Sequence, residues 1–179
     1  MIGLGLDGHP DAVADAIRIH AQFRSVRIEC QNVGAVFPQA TSPEGFKFWS
    51  AASLNQANAD LVRQAASDPH HFAVQQLGDF PNEAVLLVHR AADGQAEWHE
   101  TQVDVVYVLS GSATLVVGGT LVNGETVAPH EKRNGTIEGG TRQKVSAGDW
   151  LRIPPKTPHQ FLLEGAKDFT YMVVKAKGY

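Results

Sequence analysis

Cys30 is the only cysteine among 179 residues and has no partner for an internal disulfide. A lone thiol fits a reducing compartment, so a cytoplasmic location is expected. Charge is modest: 15 Lys and Arg against 19 Asp and Glu leave a net charge of −4. There is no basic run or stripe, which argues against nucleic acid as a partner. No apolar run approaches the roughly 18 residues needed to cross a bilayer, so no membrane partner is expected. Met1 to His9 lack the positive start and sustained apolar stretch of a secretory signal. No phosphate loop, dinucleotide fingerprint or nucleophile elbow occurs. Gly118-Gly119 and Gly139-Gly140 read as turns, since no helix follows either pair.

What is present is an apolar fraction of 43%, enough for a real core in one domain of ordinary size. The first part of the chain reads as helical. His9-Pro10-Asp11 can open a helix, with Val13, Ile17 and His20 on one face, and Ser25 to Cys30 suit a short strand. Val33 to Gly45, with Pro38 and Pro43, reads as loop. A second helix is expected after Ser50 or Ser53, with Leu54, Leu61, Val62 and Ala65 on one side and Asp68-Pro69 ending it.

From Phe72 onward the pattern turns to short strands. Phe72–Leu77 and Ala84–Arg90 flank a turn at Gly78–Asn82. Asp104–Ser110 and Ser112–Gly118 read as a hairpin about Gly111. Thr136–Glu138 and Arg142–Val145 flank Gly139-Gly140, and Gly119 to Lys132 reads as a long surface loop. Asp149–Ile153, Gln160–Leu163 and Phe169–Lys175 follow. This rhythm favours an all-β barrel or double-sheet jelly roll with an N-terminal helical extension, divided as 1–68 and 69–179.

Two stretches carry the chemistry. Glu97-Trp98-His99 alternates along an extended segment, so Glu97 and His99 point one way and Trp98 the other. Asp104 follows after a bend, at the start of the next strand. His159 begins a later strand behind Pro154, Pro155 and Pro158, whose fixed φ values limit where its imidazole can go. Imidazole nitrogen and carboxylate oxygen together form a ligand set for a divalent metal.

These residues resemble the two motifs of the cupin superfamily, in its single-domain conserved-barrel form. His99, Asp104 and Gly111 keep the spacing of the first motif, and Gly148, Pro154 and His159 that of the second. Glu97 stands at the place of the first motif's leading histidine, and Asp104 at that of its glutamate. Lys156 and Leu163 stand at the glycine and asparagine of the second. The resemblance covers roughly Ala84 to Lys175. It implies a double-stranded β-helix barrel and a metal site built from Glu97, His99, Asp104 and His159. The metal would be Fe, Mn, Ni or Zn: oxygen ligands beside two imidazoles suit Fe(II) or Mn(II), while affinity order favours Ni or Zn.

Other residues add less. His89 alternates with Val85 and Leu87, so it is expected to look into the barrel, as a candidate catalytic residue beside Glu97, the candidate general base. Arg152 and Gln160 are expected at the pocket mouth. The resulting expectation is a metal-dependent enzyme acting on a small molecule by dioxygenase, isomerase, decarboxylase or lyase chemistry. The alternative is a non-catalytic barrel that binds a sugar or organic acid. A homodimer is expected, with the N-terminal segment covering a partner's sheet edge.

Overall fold

The computed structural model describes residues 42–179. The helix expected near His9, the strand Ser25–Cys30, and most of the loop Val33–Gly45 lie outside the described residues. The chain divides after Phe46, and the unit Lys47–Tyr179 carries the helix, the strands and the site.

Ser50 caps α1 (Ala51–Ser67), its hydroxyl accepting the Ser53 amide at 3.1 Å. The cap satisfies a donor that has no partner inside the first turn. Ala57, Leu61 and Ala65 recur every four residues and are buried against Ala73 and Leu87 of the sheet. Val62, expected on the same face, is instead 43% exposed. The helix that the sequence groups with the extension therefore shares a core with the strands.

The strands are β1 (Phe72–Phe80), β2 (Glu83–Arg90), β3 (Glu97–His99), β4 (Gln102–Val117), β5 (Thr120–Val122) and β6 (Glu125–Ala128). They continue with β7 (Glu131–Arg133), β8 (Thr136–Glu138), β9 (Thr141–Ser146), β10 (Trp150–Ile153), β11 (His159–Leu162) and β12 (Phe169–Lys177). A curled antiparallel sheet runs in the order β1-β2-β12-β4-β11-β3-β7-β6, with β9 and β10 also paired to β4. Among the described residues the architecture is all-β with one helix against it.

β4 organises the barrel. Its first half pairs with β12 and β10, its second with β11 and β9. The hairpin expected at Gly111 is therefore one strand of 16 residues. Gly111 has φ +76°, and a Cβ there would run into the Asp168 carbonyl, so it bends the strand without reversing it. Three other expectations change. Thr136–Glu138 does not pair with Arg142–Val145: β8 pairs with β5, and β9 with β4. The expected loop Gly119–Lys132 contains β5 and β6 and the start of β7, and β7 lies against β3. The first hairpin is tighter than expected, because β1 runs on through Gly78 by way of a register shift and turns at Pro81-Asn82.

The main core is filled from β4, β11 and β12. Phe161, Phe169 and Tyr171 form a trio with ring centroids 5.0 to 5.2 Å apart, packed with Val106, Val108 and Leu115. Tilted rings at this spacing suit the aromatic quadrupole.

Candidate metal centre

Strand alternation and register bring distant residues to one buried point. Glu97 and His99 share a face of β3, while Trp98 lies opposite, under the Lys132 ammonium at 5.3 Å. His159 is the cross-strand partner of Glu97. Glu97, His99 and His159 each offer a ligand atom within 4.8 Å of the other two. Asp104 is not one of that trio, yet its Oδ2 lies 3.6 Å from Nε2 of both His99 and His159. The two imidazoles and Asp104 are about 95% buried.

The turn before β11 sets His159. Lys156, at the position where the motif has glycine, adopts φ +59°, the left-handed conformation that glycine takes most readily. Its amide donates to the His99 carbonyl at 2.7 Å, tying the turn to β3. His159 Nδ1 lies 3.1 Å from the Thr157 carbonyl, which only accepts, so Nδ1 carries the proton. That bond turns Nε2 toward Asp104, 3.6 Å away, the ring orientation of a metal-ligating histidine.

The structure adds a residue that belongs to neither motif. Lys175 Nζ lies 2.8 and 3.0 Å from the two oxygens of Asp104 and 3.0 Å from His99 Nε2. The neighbouring carboxylates outweigh burial and raise the His99 pKa. With an ammonium at 3.0 Å, however, the ring is neutral and Nε2 accepts, because two N–H donors cannot share one contact. The proton is then on Nδ1. Among the described residues this is the one buried side-chain nitrogen or oxygen with no hydrogen-bond partner, and Glu131 Oε1 is 3.9 Å away.

Both carboxylates are anionic. Burial alone pushes each carboxyl up. For Asp104, the Lys175 ammonium on both its oxygens outweighs it and holds the group well below the usual range. For Glu97, the charges of Lys175 and Arg133 do the same. Arg90 Nη2 lies 3.4 Å and Arg133 Nη2 3.7 Å from Glu97. Arg90 also stacks 4.6 Å over Phe72 and donates to the Tyr171 hydroxyl at 3.2 Å.

Two adjoining cavities, of about 370 and 360 Å³, share Phe72, Arg90, Glu97 and Arg133. The second also reaches Asp104, His159 and Lys175. Leu86, Val88 and Arg90 are the cavity face of β2, which places His89 elsewhere. His89 is 97% buried, its Nδ1 is 2.8 Å from the Thr170 hydroxyl, and that hydroxyl reaches Asn58 of α1 at 3.3 Å. Burial, partly offset by Asp168, lowers its pKa. His89 is thus a neutral residue between sheet and helix and does not look into the barrel. Nor do Arg152 and Gln160 line the cavities: Arg152 is exposed, and Gln160 donates to the Gly94 carbonyl at 2.8 Å.

Neither a protein-family model nor a curated protein matches the chain. Solved structures similar to it include KdgF from a Halomonas species, at 16% identity and a TM-score of 0.44, over 63% of this chain and 85% of that one. A cupin 2 conserved barrel domain protein from Rhodopseudomonas palustris is 22% identical with a TM-score of 0.43, over 59% of this chain and 60% of its own. A double-stranded β-helix protein from Klebsiella pneumoniae is 18% identical with a TM-score of 0.45, over 60% and 77%. Within the molecule itself, the bent β4 serves both halves of the curled sheet, and the two motifs meet through β3, β4 and β11. The fold of the described residues is a curled antiparallel half-barrel with one helix against it. In this barrel Glu97, His99, Asp104 and His159 bring together two imidazoles and two carboxylates, a donor set that fits a divalent cation in type and charge. The Lys175 ammonium, itself a cation on Asp104, marks the place.

Proposed function

We propose that the barrel holds one divalent metal on Glu97, His99, Asp104 and His159 and acts as a metal-dependent enzyme on a small molecule. The observation that carries this reading is the orientation of His159. With Nδ1–H given to the Thr157 carbonyl, its Nε2 faces the same buried point as the Asp104 carboxylate and His99. When bound, the metal supplies Lewis-acid polarisation of a substrate oxygen, or oxygen activation if it is iron.

The chain's own groups supply the rest. Glu97 is kept ionised at the cavity wall, where it offers the metal an anionic oxygen next to the bound substrate. Arg90 and Arg133 orient its carboxylate. Gln76 and the two guanidiniums, set against Phe72, Val74, Leu86 and Val88, suit a small molecule with an apolar body and a polar head. Dioxygenation, isomerisation, decarboxylation and lyase chemistry all remain within this reading.

Elemental analysis of untagged protein tests it. About one equivalent of metal is expected in the parent and none in the His99→Ala/His159→Ala variant. The ammonium seated on Asp104 favours a second reading, a barrel that binds its ligand without metal or turnover. A parent that stays empty after reconstitution with Fe, Mn, Ni and Zn selects that second reading.

Association as a homodimer belongs to the same proposal, since antiparallel edges such as β1 and β6 need cover. Light scattering behind size exclusion is expected to give twice the 19.3 kDa chain mass at micromolar concentration. A monomer there ends the dimer proposal.

A further inference from the structure

Lys175 is the one group at the centre of the site that metal ligation does not use. Its ammonium engages both oxygens of Asp104 and the Nε2 lone pair of His99, two of the four ligand positions. The placement is built into the sheet, because Lys175 and Asp104 are cross-strand partners of β12 and β4. Charge around the point is already balanced: Glu97, Asp104 and Glu131 face Lys175, Arg90 and Arg133. A divalent ion arriving here finds Asp104 satisfied and a positive charge in its place. Lys175 also has somewhere to go, since it lines the 360 Å³ cavity and its side chain is 17% exposed.

We infer that Lys175 is a resident competitor for the metal position, holding Asp104 and His99 together in the metal-free protein and leaving for the cavity when a divalent cation binds. The inference rests on the metal reading proposed for Glu97, His99, Asp104 and His159 and adds to it. The ligand cluster is stable and preformed without an ion, at a cost in affinity. A position free in only a fraction of molecules weakens apparent binding by that fraction.

Calorimetric titration of the full-length, chelator-treated protein with Co(II) tests this. Lys175→Met and Lys175→Gln are expected to bind about tenfold more tightly than the parent. The visible Co(II) bands should keep one shape throughout, because the ligands do not change. Lys175→Gln retains a donor to Asp104 and covers the case in which Lys175→Met fails to fold. Arg133→Met removes a nearby charge that does not occupy the position, and it should change affinity by less than about threefold. Equal or weaker binding in the Lys175 variants overturns the inference while leaving the metal reading intact. Equal tightening in Arg133→Met also overturns it, since general charge would then be the cause. Silence toward Co(II) in the parent and both Lys175 variants sinks the metal reading and this inference with it.

Discussion

Replacing Asp104 with alanine is expected to destabilise the metal-free protein by about 3 kcal/mol, read as a lower urea midpoint at unchanged slope. Asp104 is 95% buried and accepts both short contacts from Lys175. Removing it leaves an ammonium among His99, Glu97 and the apolar wall with its main counter-ion gone. Breaking a buried pair from one side costs about 3 to 5 kcal/mol, because the remaining charge is uncompensated. The low end applies here, since Lys175 is partly exposed and can turn toward the cavity. The same argument predicts strong coupling. Asp104→Ala/Lys175→Met should be more stable than the sum of the single changes allows, by at least about 1 kcal/mol. An Asp104→Ala cost below about 1 kcal/mol, or simple additivity, would show that the pair contributes nothing to the fold.

The sequence reveals the ligand residues through local rules and conceals their neighbours because those depend on register. Alternation places Glu97 with His99 on any extended segment, whatever it pairs with. The prolines before His159 fix the entry to β11 in the same local way. Lys175 meets Asp104 only because β12 lies antiparallel to β4 in one particular register. Arg133 and Glu131 arrive opposite Glu97 and His99 by the pairing of β7 with β3, in a stretch that has the composition of a loop. A lysine breaking the apolar alternation Tyr171, Val173, Lys175 is the available signal for the first. Glu131 and Arg133, two residues apart, are a weaker one for the second.

His89 shows a different limit. Alternation groups it with Val85 and Leu87 but does not say which face is inward. Both faces of β2 are apolar, one set against α1 and the other against the cavity, so the pattern has no polar side to orient it. Gly111 misleads for a related reason. Glycine between two strand-like runs fits a turn and a bend equally well, and the choice is made by partners from β9 to β12, far along the chain.

Acid should unfold the metal-free protein steeply, and the site's own carboxylates should supply much of the slope. Glu97 and Asp104 are held well below their ordinary values of 4.5 and 3.8. Groups depressed in the folded state contribute stability that is fully present above the unfolded values and lost as pH falls toward the folded ones. Their contribution is therefore constant above about pH 5. As pH falls below about 4 the unfolded chain takes up protons that the native cluster refuses, and by about pH 3 the two groups together remove up to about 2.7 kcal/mol per pH unit. Glu100 and Glu164 are also shifted downward, but both are fully exposed and add little. Urea midpoints at about pH 7, 5, 4 and 3 should thus be level at first and then fall sharply. Glu97→Gln should lose about half of the acid slope, because only one of the two groups is left to titrate. Parallel pH profiles for the parent and Glu97→Gln would mean that Glu97 ionises as it does in the unfolded chain. The ion pairs with Arg90 and Arg133 would then not be holding it, and a carboxylate that titrates so freely could not be the anionic wall of the cavity.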